Sequence, residues 1–291
     1  LAGLNTVRMC LVEPEHLVSL REVNEIAGVQ REGDSLVIGA MTRLCDIASH
    51  PEVLQHAPAL AEATASVGGP LHRRMGTLGG NICLDTRCVY INQTYFWREA
   101  LGFCLKKNGT VCHVVKSGKN CVAAASNDTG PVLMVLESKL DLLSPRGMRS
   151  ISANDFYTAD GIYNQSRQLD EIVTHVRIPI VEHRTSSFEK LRRRGAIDYP
   201  LLNCAIRADY DGDTVTGFDM VISALSARPK RLKSATRSAI GSIPSDALTQ
   251  KLADIAFKGC KPLSNIDNDA DWRREMSRVL VSRAMQRIID R

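Results

Sequence analysis

Five of the nine cysteines in the chain, Cys83, Cys88, Cys104, Cys112 and Cys121, fall within thirty-nine consecutive positions, while Cys10, Cys45, Cys204 and Cys260 are scattered. Thiols crowded in this way constrain the local fold strongly, because they must be gathered by a metal, paired as disulfides or packed as small apolar groups. The first residues, Leu1 to Arg8, lack the charged-then-apolar layout of an export signal, so a cytoplasmic location is expected and metal is favoured over disulfides. Cys88, Cys104, Cys112 and Cys121 stand sixteen, eight and nine residues apart. Zinc modules normally bring their cysteines in close pairs with roughly two to four residues between them, and none of these spacings is that short. Four thiolates so spaced favour an iron-sulfur cluster over tetrahedral zinc. Cys83 could replace Cys88 as a ligand, but it lies in a segment that reads as a strand and is assigned to packing. Cys10, Cys45, Cys204 and Cys260 have no companion His or Cys nearby and are read as core residues.

At 291 residues and 44% hydrophobic content, the chain is long enough for two domains with real cores. No apolar run approaches the ~18–20 residues that span a bilayer, so no membrane association is expected. A formal charge of +5, with no block of like charge longer than Arg192-Arg193-Arg194, gives no reason to expect nucleic acid. An acidic protein partner or a phosphate-rich ligand suits that balance equally well.

Short β-rich and helical runs alternate in the first half. Leu17 to Leu20 is strand-like, and a hairpin is expected where Ile26–Gln30 and Ser35–Ala40 flank Glu32-Gly33-Asp34. Helices are predicted over about 43–49 and 52–67, the second stopped by Gly68-Gly69-Pro70. The segment 73–82 reads as a glycine-rich loop, and 94–107 as a helix with Phe96, Ala100, Phe103 and Cys104 on one side, the aromatics packing the cluster rather than relaying electrons. Leu169–Ile178 reads as a strand closed by Pro179. After a boundary near 180–185 come three strands, about 187–192, 202–210 and 214–225, and then helices at about 231–240, 245–257 and 271–289. Strands followed by helices predict a small α+β domain with its sheet covered by helices.

Gly76, Gly79 and Gly80, with Thr77 and Asn81, form a segment whose backbone can approach a ligand, with amides free to meet phosphate oxygens. It is neither the Gly-x-Gly-x-x-Gly fingerprint nor a P-loop, and by itself a tight structural turn explains it as well. Arg73 and Arg74 just before it either neutralise a pyrophosphate or lie on the surface.

Gly76-Thr77-Leu78-Gly79-Gly80-Asn81-Ile82 resembles the Gly-Thr-Ile/Leu-Gly-Gly-Asn-Ile motif of the flavoprotein subunits of the xanthine dehydrogenase and carbon monoxide dehydrogenase family. Ile38-Gly39-Ala40-Met41-Thr42, Asn127-Asp128-Thr129-Gly130-Pro131 and a carboxyl-terminal domain of matching size extend the resemblance over nearly the whole chain. It implies an α+β fold: a vanillyl-alcohol-oxidase-like FAD-binding domain at 1–182, then a small α+β domain at 183–291 built on a three-stranded antiparallel sheet with helices. It also implies FAD held by Thr42, Thr77, Gly79, Gly80 and Asn81, with Asp128 at the adenosine ribose. Arg193 and Tyr199 are candidates for the isoalloxazine, or else part of a solvated charged face. The family's first motif, Leu-Ala-Gly-Gly-Thr-Asp-Leu, is met here by Leu1-Ala2-Gly3 running directly into Leu4-Asn5-Thr6, without the small βαβ lobe that normally precedes it.

From Asn81 to Asp128 is forty-seven positions, against about ten in ordinary members. The surplus, about 84–124, resembles the four-iron insert of the β subunit of 4-hydroxybenzoyl-coenzyme A reductase, with Cys88, Cys104, Cys112 and Cys121 as the 4Fe-4S ligands. That resemblance implies an electron-transfer subunit without catalytic residues of its own. Molybdopterin would sit on a large partner and 2Fe-2S clusters on a small one, in a dimer of heterotrimers. Electrons from a ferredoxin-like donor would pass through the 4Fe-4S cluster and FAD to reductive dehydroxylation of an aromatic coenzyme A thioester. Two other readings stand beside it: an ordinary oxidative molybdenum hydroxylase flavin subunit, and a zinc-stabilised binding module that has lost FAD.

Overall fold

The computed structural model describes residues 11–267 and 269–290, so the Leu1-Ala2-Gly3 motif and Cys10 lie outside the described residues. Two antiparallel sheets organise the chain. The first has the order β1-β2-β5-β3-β4, formed by β1 (Val29–Glu32), β2 (Ser35–Gly39), β3 (Lys139–Ser144), β4 (Gly147–Ser152) and β5 (Ile172–Pro179). The second has the order β6-β7-β8-β9, formed by β6 (Arg184–Leu191), β7 (Leu202–Asp211), β8 (Thr214–Ser223) and β9 (Lys230–Arg231). The expected hairpin forms, with Gly33 taking φ 57° between β1 and β2.

Apolar residues two apart along β2, β3 and β5 meet across the ladder. Leu36 pairs with Ile178, and Ile38 and Leu140 both pair with Val176, so one face is continuously apolar. Helices α1 (Leu44–Ser49), α2 (Pro51–His56), α3 (Pro58–Ser66), α4 (Pro70–Met75), α5 (Leu78–Ile82), α6 (Tyr95–Ala100), α7 (Thr129–Val135) and α8 (Ala153–Phe156) occupy the rest of this domain. Ile47, Val53, Leu60, Leu78, Leu133 and Phe156 join the sheet in one core.

Several expectations fail for identifiable reasons. The helix predicted over 52–67 is broken because Pro51 and Pro58 each occupy a first helical turn, and Ala57 before Pro58 leaves the helical region at φ −143°, ψ 53°. Pro70 likewise opens α4 rather than only closing what precedes it. Leu17–Leu20 forms no strand, and Leu17 and Val18 are largely exposed. Residues 78–82 are helical rather than a loop or strand. Helix α6 stops at Ala100 because Gly102 and Phe103 turn through positive φ, which takes Cys104 off the helix and leaves Phe96 80% exposed. The second sheet gains the short fourth strand β9.

Helices α9 (Lys233–Ala239), α10 (Asp246–Gly259) and α11 (Ala270–Ile289) cover one face of the second sheet through Cys204, Ile206, Met220, Ile222, Leu252, Leu280 and Ala284. The opposite face rests on α3 and α7 of the first domain. Phe188, Ala205 and Val221 point that way and belong to the first domain's core. The two domains are thus joined by a sheet-on-helix contact. No helix among the described residues is long and apolar enough to cross a membrane.

The start of β5 is fastened to β4 by Arg149, which donates to both Glu171 oxygens at 2.6 and 2.8 Å, while the Gln168 amide donates at 2.7 Å. Arg149, then the amide, hold the Glu171 carboxyl down at about 2 from an ordinary 4.5. A carboxylate with a depressed folded-state pKa stabilises the fold above its unfolded value and loses that contribution as pH falls through the folded one. Stability should therefore decline from pH 4.5 toward pH 2, and Glu171→Gln should flatten that part of the curve. Denaturant titrations of both proteins across the range would show it, and identical slopes would exclude Glu171 as a source.

Candidate functional site

Thr77 caps α5, its hydroxyl accepting from the Gly80 amide at 3.2 Å. The other early amides of α5 also have protein acceptors: Leu78 donates to Thr42 O at 3.0 Å, Gly79 to Ala40 O at 2.8 Å and Asn81 to Thr77 O at 3.0 Å. The amides read from the sequence as free for phosphate are instead spent on the end of β2 and on the cap. Gly79 is required by packing, since a Cβ there would lie 2.8 Å from Ala40 Cβ and 3.0 Å from Ala40 O. Gly80 differs: it is exposed, and a Cβ would meet only Thr77 Oγ1. The open side of the motif is therefore at Gly80 and Thr77.

Thr42 is a support beneath the motif. Its hydroxyl bonds both the amide and the carbonyl of Gly28 at 2.9 Å, and its own carbonyl receives Leu78. Asn81 links α5 to α7, its Oδ1 accepting from Thr129 N at 3.2 Å and Thr129 Oγ1 at 2.7 Å. Asn127 donates to Tyr157 Oη at 2.6 Å, and Tyr157 bonds the Ile82 carbonyl.

Next to this frame lies Asp128, 3% exposed, with Lys190 Nζ 2.7 Å from Oδ2 and Asn203 Nδ2 3.1 Å from Oδ1. Burial pushes the Asp128 carboxyl above the usual range, against the pull of Lys190. The partner cation is placed by strand alternation. Ser186, Phe188, Lys190 and Arg192, two apart on and just beyond β6, all face the first domain. Ser186 Oγ accepts from Ala59 N, and the Phe188 amide donates to Glu62. Lys190 and Arg192 both donate to Ser66 O at the end of α3. Cations at a helix C-terminus meet its unsatisfied carbonyls. Asn203 was not singled out by sequence reading; its place on β7 opposite Lys190 is the signal that finds it only once pairing is known.

Thr77, Gly80 and Asn81 are thus linked through Thr129 to the neighbouring Asp128, and Asp128 stands at the seam of the two domains. Arg193 and Tyr199 lie on the loop after β6. Arg193 reaches Asp267 at 4.0 Å, and the Tyr199 ring, 39% exposed, carries the Arg87 guanidinium 3.7 Å from its centroid. Arg73 donates to Val67 O and Gly68 O, which makes it a brace for the preceding turn, and Arg74 is exposed.

The insert brings Cys88, Cys104, Cys112 and Cys121 around one cavity of about 20 Å³, shared with Lys106 and His113. That volume is roughly one water, and no group of three or more His, Cys, Asp or Glu among the described residues forms a single-ion site. The donor chemistry nonetheless suits a soft metal centre. Amides point at sulfurs: Ala123 N at Cys121 Sγ, 3.4 Å, Val115 N at Cys112 Sγ, 3.5 Å, and Tyr90 N at Cys88. Burial, then the other three thiols, push Cys88 up to about 11, and burial raises Cys121 against the opposing pull of Lys106. Cys83 packs on the first domain's core, away from this cavity, which leaves Cys88 as the thiol of that pair at the site. Cys204 and Cys260 are buried in the second core, whereas Cys45 is only half-buried. Tyr90 stacks near both Trp97 and His113, at 6.3 and 5.1 Å.

The insert is stitched to the second domain as well. Arg87 and Ala124 pair with each other, Ala125 N donates to Ser226 O, and Ala224 N donates to Ala125 O. Asn265 receives Val89 N on its carbonyl, and its side chain donates to Val122 O and Leu225 O.

Residues 4–181 match the family described as the FAD binding domain in molybdopterin dehydrogenase, and residues 186–288 match the CO dehydrogenase flavoprotein C-terminal domain. The chain belongs to this family of flavin subunits. The medium chain of carbon monoxide dehydrogenase from Hydrogenophaga pseudoflava is 26% identical over 97% of this chain and 84% of its own length. The nicotine 6-hydroxylase medium subunit of Paenarthrobacter nicotinovorans is 24% identical over 97% and 85%. A chain of quinoline 2-oxidoreductase from Pseudomonas putida superposes with a TM-score of 0.77 at 22% identity, covering 98% of this subunit and 86% of that chain, a likeness of fold. The flavin subunit has the family's α+β architecture, an FAD-binding domain followed by a domain of one sheet and covering helices.

Two outcomes follow. Lys190→Met strands the buried Asp128 carboxylate and should cost about 3–5 kcal/mol of stability, with Asp128→Asn in the same chain restoring much of it. A double-mutant cycle from denaturant melts measures the coupling, and strictly additive costs would show there is none. Gly79→Val forces α5 away from Ala40 and should abolish bound flavin. Flavin absorbance per purified chain reads this, and full stoichiometry in the variant would remove α5 from the flavin site.

Proposed function

We propose that the chain is the flavin-carrying electron-transfer subunit of a molybdenum hydroxylase-type enzyme, assembled with a molybdenum-binding large subunit and a 2Fe-2S small subunit. The carrying observation is the family match together with the chain of contacts that links Thr77, Gly80 and Asn81 on α5 through Thr129 to the Asp128 region. FAD, when bound, supplies the exchange between one-electron and two-electron chemistry. The residues of this chain do the rest. Thr77 and Gly80 offer the open face of α5 to the diphosphate. Asn81 and Thr129 hold α5 against α7. Lys190 and Asn203 fix Asp128 beside the ribose position, and Tyr199 offers a ring face at the isoalloxazine end. In this reading the substrate chemistry belongs to the large subunit.

Direction of flow separates two readings. The relatives are carbon monoxide dehydrogenase and nicotine 6-hydroxylase medium subunits, which supports an oxidative enzyme in which electrons leave substrate through FAD. The four cysteines around one cavity favour a second reading, in which the insert carries a 4Fe-4S cluster that passes electrons from a ferredoxin-like donor to FAD, as in 4-hydroxybenzoyl-coenzyme A reductase. A zinc-stabilised module without flavin is the colourless alternative.

Cys104→Ser in the co-expressed complex tests the insert. Iron should fall by about four per chain, flavin should remain, and a ferredoxin-linked rate should vanish while reduction of dyes that reach the flavin directly persists. Unchanged iron in the variant removes Cys104 from any cluster and leaves the oxidative reading. Zinc in place of iron, with no flavin bands, overturns both.

A further inference from the structure

Among the described residues Lys106 is the one ammonium lining the cysteine cavity, and it is held by three oxygens: Asp85 Oδ1 at 2.7 Å, Thr86 Oγ1 at 2.6 Å and Gly161 O at 2.6 Å. Its side chain is 9% exposed, whereas that of Asp85 is 45% exposed. Asp85 does not line the cavity. The cation is thus turned inward and its counter-charge outward. Burying an ammonium is costly, and two of its three partners are neutral, so a structural tie alone is made more cheaply by an amide or an apolar side chain. Its anchor is also close to the thiols. A Cβ on Gly161 would lie 2.8 Å from Cys121 Sγ, and the Gly161 amide donates to Cys121 O at 2.8 Å.

We infer that Lys106 is a positioning residue whose fixed positive charge sets the reduction potential of the group bound by the four cysteines, holding it higher than the thiolates alone would, with Asp85 as the opposing charge. The inference rests on the cluster reading above. Four thiolates make such a group anionic, and taking up one electron adds one more negative charge. A cation beside it favours the reduced form and a carboxylate disfavours it, in a site screened from water. Lys106 and Asp85 therefore act with opposite sign. Lys106→Gln keeps a donor for Thr86 and Gly161 but removes the charge and leaves Asp85 unpaired, so the midpoint moves to more negative potential. Asp85→Asn keeps an acceptor for Lys106 and moves the midpoint to more positive potential.

The test uses the whole complex purified with its partner subunits. Iron, labile sulfide and flavin are determined, and the complex is then titrated with dithionite under electron paramagnetic resonance. The relevant signals are those that Cys104→Ser lacks. The expected result is wild-type iron in both charge variants, with midpoints displaced in opposite directions and flavin potential unmoved. Wild-type midpoints in both variants overturn the inference, as do shifts of the same sign. Should Lys106→Gln lose its iron, Lys106→Arg and Asp85→Asn decide: retained iron with a more positive Asp85→Asn midpoint supports the charge role, and loss of iron in Lys106→Arg as well makes Lys106 a structural tie and overturns it. Absence of iron from the wild-type complex is a different failure, since it removes the cluster reading itself.

Discussion

The ion pair of Lys190 with Asp128 is the contact on which the arrangement of the two domains turns. Both side chains are almost wholly buried, so neither can be satisfied by water, and each is tolerated only because the other is within 2.7 Å. Asp128 belongs to the first domain and Lys190 to the second, and each domain therefore needs the other to compensate a buried charge. Around the pair lie apolar residues of both domains, Phe188, Ala205 and Val221 joining Leu133 and Leu60. That packing supplies the attraction, while the pair specifies register: a slip of one residue along β6 would turn Lys190 away from Asp128 and carry Ser186, Phe188 and Arg192 with it.

The glycine motif works differently from a phosphate loop. Its amides close a short helix onto β2 instead of standing open, and Gly79 is a matter of two backbones in contact rather than of ligand access. Rigidity follows, because Thr77 caps α5 while Asn81 and Tyr157 tie it to different neighbours. A surface held this firmly can be presented to a ligand with little ordering cost. Glycine in a binding motif need not be where the ligand is.

Much of this was legible in the sequence because it rests on local rules. The hairpin at Gly33, the strands of the second domain and its covering helices follow from period and turn chemistry, and the motif at 76–82 pointed to its family. What failed was also local but finer. Pro58 was read as helix interior when it could only begin a helix, and the segment through Cys104 was read as helical although Gly102 sits in its middle. Asn203, Lys106 and the stacking of Arg87 on Tyr199 were not legible at all. Each depends on a pairing between segments far apart in the chain, and no spacing within one segment encodes it. Lys190 lay between: a lone lysine two residues from Phe188 on a strand's inner face is a visible anomaly, but its partner is not.

The stitching of the insert by Asn265 and by the 224–226 segment means that it is no detachable cassette. Its first and last strands of backbone, at Arg87 and Ala124, close on each other, and nearby Val89 and Val122 are then held by Asn265, far downstream, the first through its backbone carbonyl and the second through its side-chain amide. Removing the loop would strip the buried Asn265 amide of its acceptor at Val122 O, so the loop and the asparagine stand or fall together.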